Sequence, residues 1–363
     1  MKETAITENI VREALKAIQD PHLGIDLVSS LVVQNIKIEQ DMLHLALRLG
    51  YPAKSYQETL KNQIESELKS LLDIAHIKTD VTSRVNTHVV QKSMRALPGI
   101  KNIIAIASGK GGVGKSTVAC NLALAIQAEG AKVGILDADI YGPSQPKMLG
   151  VTEKPGAQEK RLMPVISHGL KTMSIGYLVE ENTPTVWRGP MVSSALQQLL
   201  NDTEWGELDY LIIDLPPGTG DIQLTLAQKI PVSGVVVVTT PQEIALMDAR
   251  KAIMMFRKVG VSVLGIIENM SAHVCRHCGH EEAIFGSNGA AELAKQYEIP
   301  LLGDIPLDSR IREKSDLGEP IVVFEPDSSI TQRYLELARS VTAQLSLRPR
   351  DLNLSFQTQV KNS

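Results

Sequence analysis

Apolar residues recur at helical spacing at Ile10, Val11, Ala14, Leu15 and Ile18, the inward stripe of an amphipathic helix. Two runs with period-two alternation follow, LVVQNIKIE and MLHLALRLG, and predict strands. Leu60, Ile64, Leu68, Leu71 and Leu72 mark a second amphipathic helix, and HIKTDVTSRV reads as another strand. Together they predict a small α+β unit over residues 1–85. The stretch NTHVVQKSMRALPGIKN carries the turn signal Pro98-Gly99, so residues 86–100 read as a linker. From Lys101 the pattern changes. NIIAIAS, AKVGILDAD, LDYLIIDLP, SGVVVVTTP and VSVLGIIENM are short, β-branched apolar runs separated by helix-like stretches. Strands apolar throughout suit a parallel sheet buried on both faces. Residues 101–345 are therefore expected to form a doubly wound, mostly parallel α/β sheet. The tail, residues 346–363, is polar, lacks an apolar stripe and predicts no element.

A chain of 363 residues has room for two such units. Its 43% hydrophobic and 21% charged residues suit a soluble globular protein. A formal net charge of -4 argues against a general nucleic-acid binder. No apolar run reaches the 18 or so residues that span a bilayer. The start, MKETAITENIVREALK, is charged where a secretory signal needs an apolar core. A cytoplasmic protein without stable membrane association is expected. The three cysteines, Cys120, Cys275 and Cys278, are too few for a disulfide scaffold, so Cys275-x-x-Cys278 points to metal or redox chemistry.

SGKGGVGKST, from Ser108 to Thr117, contains Gly109-x-x-x-x-Gly114-Lys115-Ser116 between an apolar strand and a helical pattern, the setting a phosphate loop needs. The residues from Gly109 through Lys110, Gly111, Gly112, Val113 and Gly114 to Thr117 would wrap ATP phosphates with backbone N–H groups at a helix start. Lys115 would reach the β- and γ-phosphates, and Ser116 would ligate Mg²⁺. The early lysine makes KGGVGKST resemble the deviant Walker A subgroup. That resemblance implies a MinD-like fold and a homodimer in which Lys110 reaches the partner's nucleotide. A solvated loop lysine is the plainer reading.

Within GILDADIYGPS a strand ends with Asp137 and Asp139, where it should face the ligand crevice. The subgroup resemblance gives Asp139 the attacking water and a place at Mg²⁺, with Asp137 in an assisting part there. YLIIDLPPGTGD resembles a Walker B strand ending in Asp214, another Mg²⁺ ligand. Asn269, in GIIENM, resembles an adenine-side residue.

In HVCRHCGH, His273 and His280 are each separated from the nearest cysteine by a single residue, too close for a relaxed Cys₂His₂ tetrahedron. The two thiolates therefore read as half a site. A four-cysteine cluster needs four thiolates. Cys120 lies in a packed helix, so one chain supplies two and two copies supply four. Lys110 calls for the same two-fold dimer. Zinc shared between subunits, free thiols and a redox disulfide are the other readings.

With SGKGGVGKST, LDADIYGPS, LIIDLPPGTGD and CRHCG together, residues 101–345 resemble the Mrp/ApbC family of P-loop ATPases, iron–sulfur carriers related to Nbp35-type scaffolds. The resemblance implies an ATPase that binds a labile [4Fe-4S] cluster on Cys275 and Cys278 between subunits and passes it to apo-proteins. ALKAIQDPHLGIDLVS resembles the opening of the MIP18 domain often fused to these ATPases. Many members have a cysteine where LRLGYPAKS has Lys54, so this unit reads as a docking module. Two further readings stand beside the carrier: a ParA/MinD-like positioning ATPase, for which the tail lacks an amphipathic stripe, and a P-loop ATPase with structural zinc.

Overall fold

A computed structural model describes residues 6–39, 42–72, 74, 76–91, 94–159, 161–178, 189–275 and 277–351. The tail expected over residues 346–363 lies outside them beyond residue 351. In the N-terminal unit, α1 (Glu8–Lys16) starts at Thr7, whose hydroxyl accepts the Ile10 N–H, and turns Val11 and Leu15 inward. β1 (Val33–Glu39) pairs antiparallel with β2 (Met42–Leu49), and β2 pairs in parallel with β3 (His76–Ser83) through α2 (Gln57–Leu72). Leu43, Leu45, Leu47 and Leu49 alternate into one core with Leu60, Ile64 and Leu68 of α2.

The larger unit holds a nine-stranded sheet. Its strands are β4 (Ile100–Ala107), β5 (Val133–Asp137), β6 (Val165–Ser167), β7 (Leu170–Ser174), β8 (Leu208–Asp214), β9 (Gly234–Thr239), β10 (Val263–Val274), β11 (Glu281–Glu282) and β12 (Leu301–Leu307). The order is β6-β7-β5-β8-β4-β9-β10, with β11 and β12 both on β10. All pairings are parallel except those of β6 and β11. The helices are α3 (Lys115–Ala128), α4 (Gln145–Met148), α5 (Gly189–Asp202), α6 (Asp221–Lys229), α7 (Glu243–Lys258), α8 (Gly289–Gln296), α9 (Ser309–Leu317), α10 (Ile321–Phe324) and α11 (Ser329–Ser346).

Two cores explain the unbroken apolar strands. Ile103 and Ala105 of β4 face the core shared with α5, α6 and α7, while Ile104 and Ile106 face the one shared with α3 and α11. A strand covered on both faces has no polar side to show. This is the doubly wound parallel sheet that the alternation predicts. β7 (LKTMS) and β12 (LLGDIPL) do not stand out in the sequence, because Lys171, Thr172, Gly303, Asp304 and Pro306 interrupt the apolar run.

Within the stretch expected as a linker, His88 and Gln91 are each hydrogen-bonded to the larger unit. The Gln91 amide donates to the carbonyls of Ala227 and Ile230 and accepts the Val232 N–H. His88 is buried and bonds the Arg348 carbonyl. The N-terminal unit also grips the far end of α3. Glu129, the residue closing that helix, accepts the Ser55 N–H at 2.9 Å and hydroxyl at 2.6 Å, and the Arg339 guanidinium at 2.5 Å. Its carbonyl accepts the Lys54 N–H. Arg339 Nε donates to His22 Nε2 at 3.0 Å. Burial, and secondarily the Arg339 charge, push His22 down to about 4.

Candidate functional site

Parallel strands end together on one edge, and the site is built there. β4 delivers the chain to Ser108, and the next residues turn into α3 through Gly114, whose φ of +80° favours glycine. A Cβ at Gly114 would lie 2.2 Å from Asn269 Nδ2, and one at Gly109 would lie 2.1 Å from the Asp248 carbonyl. Glycine is demanded at Gly109 by the neighbouring backbone and at Gly114 by its left-handed φ.

Lys115 opens α3 and is 5% exposed. Its ammonium donates to the carboxylate of Asp214, itself fully buried, and to Ser116 Oγ at 3.1 Å. Asp214 ends β8 directly beside Asp137 at the end of β5, the two being register partners. Gln145, the first residue of α4, donates its amide N–H groups to Asp214 Oδ2 at 2.9 Å and to the Ser116 carbonyl at 3.0 Å.

Asp137 accepts the N–H groups of Asp139, Ser144 and Gln145 and the Ser174 hydroxyl. Both of its oxygens are thus engaged by the chain, and it shapes the turn that presents Asp139. Burial, then the neighbouring Asp214 charge, push it up to about 7. Asp139 is 9% exposed. Burial raises its carboxyl above the usual range, against the pull of Lys115. It lines a cleft of about 700 Å³ together with Tyr141, Pro216 and Pro217.

Asn269, on β10, donates to the Val113 carbonyl at 2.8 Å across 156 residues of sequence, so it braces the phosphate loop from the next strand but one. Thr117 sits in the first turn of α3, where its carbonyl accepts from Asn121. Lys110 and the adjoining Gly111 and Gly112 are exposed. Among the described residues the Lys110 ammonium meets no partner.

β10 continues past GIIENM as far as Val274, with a register break after Asn269 and a left-handed Met270 at φ +57°. His273 and Val274 pair with Glu282 and Glu281, closing a turn that presents the cysteines. Within it the Cys275 N–H donates to the His280 carbonyl at 2.9 Å, and the Gly279 N–H to the Cys275 carbonyl at 2.8 Å. Cys275 is half-buried and Cys278 exposed. The backbone N–H groups of Cys278 and His277 hold the Cys275 thiol below its usual range. Residue 276 lies outside the described residues. Cys120 is buried in α3, which pushes its thiol far up. Among the described residues, no group of three or more His, Cys, Asp or Glu side chains is arranged to hold a metal. The turn begins six residues beyond Asn269, a span of at most about 20 Å for extended backbone.

The structure thus brings Lys115, Ser116, Asp214, Asp139 and the braced loop into one crevice, and sets Cys275 and Cys278 on an outlying turn of the same sheet edge. Gln145 and Ser174 do not emerge from the sequence. GPSQPKM offers no local signal that its glutamine turns inward. No described helix is long and apolar enough to cross a membrane.

Comparison with known proteins agrees with this geometry. Residues 99–342 match the model of the NUBPL iron-transfer P-loop NTPase family, and residues 8–78 that of an iron-sulfur cluster assembly protein. The chain is 50% identical to the iron-sulfur cluster carrier protein of Haemophilus influenzae, over 94% of this chain and 93% of the relative. It is 50% identical to the mouse iron-sulfur cluster transfer protein NUBPL, over 70% and 81%. Among solved structures, a nucleotide-binding protein of Archaeoglobus fulgidus in complex with ADP is 41% identical, covering 65% of this chain and 93% of its own, with a TM-score of 0.57.

Proposed function

Because the chain belongs to the NUBPL iron-transfer P-loop NTPase family, we propose that it is an ATP-hydrolysing carrier of an iron–sulfur cluster. Two copies hold a [4Fe-4S] cargo through Cys275 and Cys278 of each and pass it to apo-proteins. The observation that carries this reading is the placement of two chemistries on one strand. β10 braces the phosphate loop through Asn269 and six residues later presents an accessible thiol pair.

The nucleotide site would work as follows. ATP phosphates settle over the loop N–H groups from Gly109 to Thr117, and Lys115 turns from Asp214 to the β- and γ-phosphates. That exchange leaves the Asp214 carboxylate buried without its cation. With the Ser116 hydroxyl and Asp139 nearby, the donors are all hard oxygens, a set that fits Mg²⁺. Bound there, Mg²⁺ would offset phosphate charge as ATP is cleaved. Asp139, held by its turn at the cleft, orients the attacking water. Lys110, exposed and without a partner among the described residues, is free to reach a partner copy's nucleotide. The 1–85 unit serves as a docking module.

Two thiolates per chain support a cluster completed by a second copy. The low-set Cys275 thiol favours the thiolate that iron requires. The test is anaerobic reconstitution of wild type and Cys275→Ala, read by absorbance, iron and sulfide content and mass. A chromophore near about 400 nm with roughly four irons per dimer is expected, and the variant should lack it. A colourless protein holding zinc, or a variant that keeps the chromophore, would overturn the reading.

A further inference from the structure

Gln145 is fully inside the protein, 1% exposed, yet it belongs to none of the recognised nucleotide motifs. Its amide nitrogen faces two acceptors that cannot donate, the Ser116 carbonyl at 3.0 Å and Asp214 Oδ2 at 2.9 Å. That environment dictates the amide's orientation, since the flipped form would set oxygen against oxygen on both sides. The amide oxygen is buried and has no partner among the described residues. The Gln145 backbone N–H donates to Asp137 Oδ2 at 3.1 Å. One residue therefore touches the phosphate-loop helix, the Walker B aspartate and the strand-end aspartate at once.

Among the described residues, the Asp214 carboxylate has two side-chain donors, Lys115 and Gln145. Lys115 is the one that phosphate would recruit. Once it leaves, Gln145 is the group that still holds Oδ2 and keeps Oδ1 aimed at the vacated position. We propose that Gln145 is a positioning residue for the divalent cation. It restrains Asp214 while Lys115 exchanges partners, so that the carboxylate meets Mg²⁺ without first reorienting. The inference rests on the nucleotide-site reading above and adds a residue to it.

Leucine and methionine at this position remove the donor, and methionine keeps nearly the original length and volume. A packing role predicts that Gln145→Met resembles wild type. A donor role predicts that Gln145→Met and Gln145→Leu fall together. The measurement is binding of fluorescent ADP and ATP analogues to the full chain, with EDTA and across a Mg²⁺ titration. A hydrogen bond to a buried carboxylate corresponds to about tenfold to a hundredfold in affinity. The expected result is that half-saturating Mg²⁺ rises about tenfold or more in both variants, while nucleotide affinity in EDTA stays within about twofold. Unchanged Mg²⁺ dependence, an equal loss in EDTA, or a methionine variant matching wild type would each overturn the assignment. A variant that does not fold, while the other binds with wild-type Mg²⁺ dependence, would overturn it too. A wild type that binds no nucleotide would instead bring down the phosphate-loop reading, and this proposal with it.

Discussion

Replacing Arg339 by methionine tests how the N-terminal unit is held to the P-loop helix. Arg339 is 9% exposed and Glu129 not at all, so the substitution strands a carboxylate away from water. Removing one member of a buried ion pair costs about 3–5 kcal/mol. Here the Ser55 N–H and hydroxyl remain on Glu129, at 2.9 and 2.6 Å, which argues for the lower end, about 3 kcal/mol. The stack of the guanidinium on Tyr56, 5.4 Å from the ring centre, is replaced by a thioether contact of similar reach and changes little. Urea unfolding followed by circular dichroism would read the loss as an earlier transition, by roughly 1 M for a slope near 3 kcal/mol/M. The double variant Arg339→Met with Glu129→Leu should recover much of it, because a well-packed apolar pair can replace a buried ion pair at little cost. A single variant within about 0.5 kcal/mol of wild type, where ordinary surface substitutions fall, would refute the reasoning. So would a double variant worse than the two single losses added together.

Lys115→Ala should abolish nucleotide binding measured with a fluorescent analogue, and unchanged ATP turnover would refute the phosphate-loop assignment. Cys278→Ala should lose the iron chromophore yet keep nucleotide affinity, since the cysteine turn stands apart from the phosphate loop; loss of both would contradict that separation. His22 is neutral in the fold, its value lowered to about 4 from 6.5. Between those values the unfolded chain takes up a proton that the folded chain does not, so stability falls as pH drops from 6.5 toward 4. The full amplitude is at most about 3 kcal/mol, less what solvent screening removes from a half-buried ring. Urea midpoints from pH 7.5 to 4 should show this slope, and His22→Gln should flatten it.

Much of this protein is local and therefore visible in its sequence. Alternation in MLHLALRLG, unbroken apolar strands such as NIIAIA, and glycines at the spacing of a phosphate loop each depend on neighbours a few positions away. The strand-terminal aspartates Asp137 and Asp214 could be read because an α/β sheet gathers strand ends on one edge. LKTMS and LLGDIPL escaped because the pairing of β7 with β5 and of β12 with β10 makes them strands, against the grain of their own composition. Tertiary structure alone decided which distant groups meet. It set Lys115 on Asp214 across 99 residues, Asn269 on Val113 across 156, and Arg339 on Glu129 across 210. It also turned Gln145 inward, and bound the Gln91 amide, in a stretch that reads as a linker, to Ala227, Ile230 and Val232. Periodicity records which face of an element is buried, because that depends on spacing along the chain. It does not record what lies opposite that face, because strand order and helix packing fix the partner, and no local spacing encodes them.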